Sequence, residues 1–330
     1  RANSLTGEII DADILFDASM VRAYKAEQRL FRNEKGEAIE PASSIQAARR
    51  GWELPSHPLA GREGGTGWND HRGFALRNGV CQCANHTAGE IGLAALHLGA
   101  LGKDGDKVPD ELLQQAVKEV TMHEVGHTLG FRHNFKASTV LPNNKLHDTT
   151  ITRKQGLVGS VMDYAPANIA PKGEKQGDYF TTTLGAYDYW AVEYAYKPLS
   201  GGTEGEKAEL AKIATKVADP NLIYATDEDL YGTPDPLVNV WDLGSDPIQY
   251  ARDRIKLARD MTATIAEVSV DKGEGYQRAR RAFNLLLRQY GDAAFLASKH
   301  VGGLAVYRDH KGDANARDPL VPTNADKQRE

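Results

Sequence analysis

Between residues 123 and 133 the chain reads His-Glu-Val-Gly-His-Thr-Leu-Gly-Phe-Arg-His, which sets three histidines, a glutamate and a glycine at fixed spacing. His123 and His127 are four apart, so on an α-helix both imidazoles leave one face, a turn apart, and can reach one ion. Glu124 lies about 100° round the helix from His123, angled toward a water beside the ion rather than toward the ion itself. His133, six residues past His127, would be rotated by about 240° on a continuing helix and would point away. The helix must therefore break between them, and Gly130 can take the left-handed backbone that turns the chain back. Three neutral histidines leave one tetrahedral position of Zn²⁺ open for water, the pattern of a catalytic site, and lower the pKa of that water to about 7. Glu124 is placed to take its proton during attack on a carbonyl and to pass it to the leaving nitrogen. A purely structural zinc site would have no use for Glu124, which ligates nothing.

These residues need a helix under them. Pro109 suits a first helical turn, Asp106 is a candidate cap, and Asp110 and Glu111 complement the helix dipole. Leu112, Leu113, Ala116, Val117 and Val120 form an apolar stripe that leads into Met122-His123-Glu124, and the helix should stop near Gly130. Upstream, residues 8–16 alternate as a strand and residues 18–31 carry a helical pattern through Met20, Val21, Tyr24, Leu30 and Phe31. Residues 51–73 read as a long Gly- and Pro-rich loop, in which Gly61, Gly64, Gly65 and Gly67 match no phosphate-binding spacing. Phe74 to Cys83 reads as a short strand, and from Thr87 a buried helix ends near Gly99 and Gly102. Beyond residue 200 the chain turns polar and acidic, then shows two helical patterns over 248–268 and 275–299, with Ile255, Leu257, Ile265, Phe283, Leu286, Leu287 and Phe295 at helical spacing.

At residues 123–133 the chain resembles the metzincin clan of zinc endopeptidases, whose extended motif these residues match. The clan's second mark is a tight turn bearing methionine beneath the zinc, and Ser160-Val161-Met162-Asp163-Tyr164 is similar to it. The resemblance implies that Met162 forms the floor of the site. It also implies that Tyr164 acts near the zinc, either as a fifth ligand or as a donor to the oxyanion of the tetrahedral intermediate. Gly185 to Tyr196 resembles the helix closing the lower subdomain of serralysin-like enzymes. Astacins, serralysins, matrixins and reprolysins carry Glu, Pro, Ser and Asp after the third histidine; here Asn134 stands there, so none of the four groups matches cleanly. The motif together with the run from Ser160 to Tyr196 looks more like the large bacterial zinc-dependent metalloproteases, which implies export to a bacterial envelope: periplasmic, outer-membrane-associated or extracellular.

The resemblance implies an α+β fold, with a metzincin-like zincin catalytic domain over residues 1–200 and a mainly α-helical extension over 201–330 packed on it. Metzincins place a mixed sheet before the active-site helix, its edge strand pairing with an extended substrate. Only two strand candidates precede residue 109, so part of the upper subdomain is expected to lie outside this chain. The start Arg1-Ala2-Asn3-Ser4 has no charged-then-apolar leader, and the charged run Asp326 to Glu330 simply stops, so a piece of a longer protein is expected.

Composition narrows the partners. At 41% hydrophobic and 26% charged, the chain can bury a core, and no apolar run approaches the roughly 18 residues of a membrane span. A net charge of −5 argues against a nucleic-acid binder held by phosphate contacts, and the peptidase resemblance implies a protein or peptide substrate. Cys81 and Cys83 are too close for an unstrained mutual disulfide; Cys81, Cys83 and His86 lack the spacing of common zinc knuckles. The acidic stretch 227–246, with Asp227, Glu228, Asp229, Asp235, Asp242 and Asp246, lacks the ordered spacing of a Ca²⁺ loop and reads as a solvated loop. The expected function is hydrolysis of peptide bonds with one catalytic Zn²⁺, ligands His123, His127 and His133, and Glu124 as general base; the alternative is a zinc-containing, non-catalytic binding module of the bacterial cell envelope.

Overall fold

The computed structural model describes residues 83–101, 109–270 and 272–330, the short stretches 8–14 and 21–25, and positions 3, 5 and 6. A first helix, α1 (Cys83–Ala100), gives the motif helix, α2 (Asp110–Thr128), an apolar wall to lie on. Leu112 and Ala116 of α2 are buried against Ala88, Ile91, Ala94 and Ala95 of α1, with Leu113 and Val117 packed at the margin. Pro109 sits one position before the first helical residue and contributes its fixed backbone without a side-chain cap; Asp110 and Glu111 fill the first turn. The expected cap Asp106 lies outside the described residues.

Short elements follow: α3 (Thr149–Gln155), capped by the Asp148 carboxylate on the Thr150 N–H, then α4 (Ala186–Tyr196) and α5 (Gly202–Ala214). After them come α6 (Asp227–Gly232), α7 (Pro247–Thr262), α8 (Ile265–Ser269) and α9 (Gln277–Ser298). Two strands, β1 (Leu304–Val306) and β2 (Leu320–Pro322), pair antiparallel with Ala305 opposite Val321, and α10 (Ala325–Arg329) closes the chain. Helices plus this small sheet make the architecture α+β.

The apolar cores join residues from both sides of position 200. Leu93 and Leu96 of α1 pack with Leu257, Ala258 and Met261 of α7 and Ala282 and Leu286 of α9. Leu141, Leu146 and Leu157 pack with Leu243, Tyr250, Ala293 and Leu296. A buried ion pair reinforces this: the Arg254 guanidinium of α7 donates to the Glu90 carboxylate of α1 at 2.9 Å, and Glu90 also accepts the Ala167 N–H.

Several expected elements come out differently. Residues 8–14 are largely exposed, with only Ile9 in an isolated bridge and no strand among them; residues 15–16 lie outside the described residues. The helix expected over 18–31 is described only at 21–25, where Tyr24 is buried, and the 51–73 loop is outside the described residues. Of the strand expected over Phe74 to Cys83, only Cys83 is among the described residues, and it opens α1. The 248–268 pattern breaks at Ala263–Thr264 into α7 and α8. In α9 the apolar pattern locates the helix but not its buried face: Leu286 is fully buried, while Phe283, Leu287 and Phe295 are exposed.

Candidate metal centre

The ligand nitrogens of His123, His127 and His133 all lie within 4.8 Å of one another, the one group with metal-ligand geometry among the described residues. Gly130 brings this about. Its φ is +85°, its N–H reaches the His127 carbonyl at 3.0 Å, and the Phe131 N–H reaches the Gly126 carbonyl at 3.1 Å. That pair of bonds is the Schellman termination, which caps α2 and swings His133 back toward the face it left.

Every ring is oriented through Nδ1. His123 faces the Val161 carbonyl at 2.7 Å, His127 the Phe131 carbonyl at 2.9 Å, and His133 the Asp227 carboxylate at 2.7 Å. An Nδ1 facing an oxygen acceptor carries the proton, so the lone pair sits on the opposite nitrogen of each ring. The Nε2 atoms of His127 and His133 stand 3.2 Å apart. Two ligands about 2.0–2.1 Å from a tetrahedral zinc lie about 3.3 Å from each other, so the spacing suits a shared Zn²⁺ and would otherwise set two lone pairs face to face. Burial, then the neighbouring His127 and His133, pull the His123 pKa down to about 3, and burial lowers that of His127. Neutral imidazoles are the form a metal needs.

The floor is Met162, 1% exposed, lying so close beneath α2 that a Cβ on Gly126 would meet its Sδ at 2.2 Å. Gly126, inside the motif, is thus the gap that admits the methionine, a role that residue spacing alone does not reveal. Two buried carboxylates clamp the turn. Asp188 of α4 accepts the Ser160 hydroxyl at 2.6 Å, the Val161 N–H at 3.0 Å and the Gly185 N–H at 2.8 Å; Asp163 accepts the N–H groups of Ser138 and Tyr164, both at 2.7 Å. Burial, then nearby Asp242, hold the Asp163 carboxyl well above the usual carboxylate range, and burial raises Asp188 as well. The α4 segment therefore anchors the turn from which Val161 orients His123.

Tyr164 is buried beside the histidines, its ring 4.7 Å from His133 and 5.4 Å from His123 between centroids. Trp241 stacks on it at 4.9 Å and donates its backbone N–H to the Tyr164 carbonyl at 2.8 Å, with an unusual φ of +66°. Glu124 is half-buried on the same turn as His123, and its charge raises the proton affinity of His127 against the effect of burial. Asn134, the departure from the named metzincin groups, is fully buried. Its backbone N–H reaches the Met162 carbonyl at 2.9 Å, its Nδ2 reaches the Ile223 carbonyl at 2.9 Å and its Oδ1 accepts the Ala225 N–H at 3.2 Å.

The acidic stretch is not a solvated loop. Asp229, Asp235 and Asp242 are buried, and the side chains take protein partners: Asp227 the His133 ring, Asp229 the Arg308 guanidinium at 2.8 Å, and Asp235 the buried Lys136 ammonium at 2.6 Å. Acidic residues spread through polar sequence resemble solvated ones until their cationic partners, far along the chain, are placed. His86 lies flat on Trp241 at 3.5 Å, Cys83 is buried, and Cys81 is outside the described residues.

The sequence model of one protein family, Met-zincin, matches residues 105–330, and the chain belongs to that family. The match includes the histidine motif, the methionine turn and the helices beyond residue 200. No curated protein and no solved structure matches the chain. Met-zincin membership and the three-histidine cluster identify a zinc site of the metallopeptidase type. No helix among the described residues is long and apolar enough to cross a membrane.

Proposed function

We propose that this protein is a zinc-dependent endopeptidase, exported from the cell, that hydrolyses peptide bonds in a protein or peptide substrate. The observation that carries the reading is the convergence of three imidazoles with Glu124 one residue from His123, on a helix whose neighbouring Val125 and Leu129 are exposed. Zinc, when bound, supplies Lewis acidity that polarises the scissile carbonyl and brings the pKa of water to about 7. The protein supplies the rest. Glu124 takes the proton of the attacking water and returns it to the leaving amine, a role worth about 10²–10⁴ in rate. The Tyr164 hydroxyl donates to the oxyanion as charge develops on the carbonyl oxygen. Met162 fills the space under the ligands and keeps water from the inner side of the rings. Val161, Phe131 and Asp227 hold the three tautomers.

The test is hydrolysis of a quenched-fluorescent peptide library by zinc-loaded protein, with Glu124→Ala alongside. Turnover in the parent that falls at least about a hundredfold in Glu124→Ala, with zinc retained by both, is the expected result. Full zinc occupancy with no turnover in the parent would overturn the peptidase.

A further inference from the structure

We propose that Asp227 is a positioning residue for the metal centre: it orients His133, so the third zinc ligand is set by residues beyond position 200. This rests on the zinc reading above. His123 and His127 leave a regular helix and are oriented by backbone carbonyls. His133 follows the Gly130 break, where no helical bonds fix its direction, and its Nδ1 faces a carboxylate oxygen at 2.7 Å, with 10% and 15% of the two side chains exposed. A carboxylate there fixes the tautomer and raises the electron density of the donating nitrogen, and loss of such a partner typically weakens metal binding about 10–100-fold.

Asp227 is itself held. Its second oxygen accepts the Thr226 hydroxyl at 3.2 Å and the Arg132 guanidinium at 3.4 Å. Asp229, two residues along the chain, accepts the Thr226 N–H at 2.8 Å and, on both its oxygens, Nη2 of Arg308, which follows β1. Upstream of Thr226 the chain is tied to the motif by Asn134 and by the Phe135 N–H on the Ala225 carbonyl at 2.8 Å. The carboxylate is therefore presented by a braced turn, and its position relative to His133 is defined from both ends.

The experiment measures Zn²⁺ affinity by competition with a chromogenic chelator at neutral pH for the parent, Asp227→Ala, Asp227→Asn and Glu228→Gln. Asp227→Ala should bind zinc about 10–100-fold more weakly. Asp227→Asn, which keeps an acceptor oxygen at the same place, should recover most of that loss. Glu228→Gln, which removes only the exposed contact to Arg132, should stay within about twofold. In the zinc-loaded parent the His133 Nδ1–H should give a low-field proton resonance that is missing in Asp227→Ala. Parent-like affinity in Asp227→Ala would overturn the proposal, as would equal losses in all three variants, which would mark a general disturbance of the turn. A parent that binds zinc but cleaves no peptide would remove the peptidase and leave the Asp227 result standing. A parent that binds no zinc would remove both.

Discussion

Residues 123–133 and residues 223–242 meet at the same imidazoles but are specified in different ways. The first segment supplies donors by local geometry: a helical period places His123 and His127, and one left-handed glycine returns His133. The second carries no motif. It supplies Asp227 to His133, Trp241 to the ring of Tyr164, and Asp235 to the Lys136 ammonium, all through packing. In the reading proposed above, motif residues supply the donors for the ion and the downstream residues fix how those donors face it.

The sharpest way to break that distinction is to remove a donor and watch both properties. His127→Ala, at a half-buried position, should weaken zinc binding by about 300- to 8,000-fold, since each ligand carries roughly a third of a binding free energy of about 10–16 kcal/mol, while the far-UV circular dichroism of the metal-free protein stays as in the parent. Unfolding instead would mean that the motif also holds the fold. The converse is Lys136→Met, which strands Asp235 without its buried partner and should cost about 3–5 kcal/mol in urea unfolding; pairing it with Asp235→Leu should recover most of the loss.

Glu119 sharpens the comparison inside α2. It is buried one turn before His123; burial raises its pKa to about 8 against only a long bond from Thr181, and its Oε2 meets no hydrogen-bond partner among the described residues. The folded state keeps the proton longer than the unfolded chain, whose carboxyl has a pKa of about 4.5. Its contribution is therefore intact below about 4.5 and is lost as the pH rises to about 8. Glu119→Gln should gain stability over the parent across that window, by a few kcal/mol at most in urea unfolding, and hold a constant difference above it. A difference independent of pH would show that the carboxyl ionises normally.

Smaller effects probe the two contacts under and beside the site. Gly126→Ala should cost about 1–3 kcal/mol by crowding Met162, with less cost in a Met162→Ala background; equal costs in both would place the methionine elsewhere. Arg308→Ala removes a half-exposed ion pair in which one guanidinium nitrogen meets both Asp229 oxygens, and should lower stability by about 1 kcal/mol or less, read by urea titration.

What could be read in advance follows the range of the interactions. The polar ridge Gln115, Glu119, His123 and His127 repeats every fourth residue of α2, yet only its histidine end carries a motif. Gln115 and Glu119 receive the backbone N–H groups of residues 179–181, a neighbour that no local pattern announces. The same holds for Asp188, which reads as one more residue of an aromatic helix until the turn at Ser160 is seen resting on it. Apolar periodicity found α9 but placed Phe283 and Phe295 on a par with buried Leu286, because period marks a stripe and not the partner it faces.

The sequence by itself determined the histidine cluster, the glycine break and the helix that carries them, since each depends on spacings of a few residues along one element, while the methionine turn was legible only through its resemblance to the metzincin turn. Only the tertiary structure decided that Asp227 faces His133, that Asn134 stitches the motif to residues 223–225, and that Trp241 covers Tyr164. Those pairings join residues about a hundred positions apart at most, where chain connectivity imposes no geometry and burial of one side chain against another selects the partner.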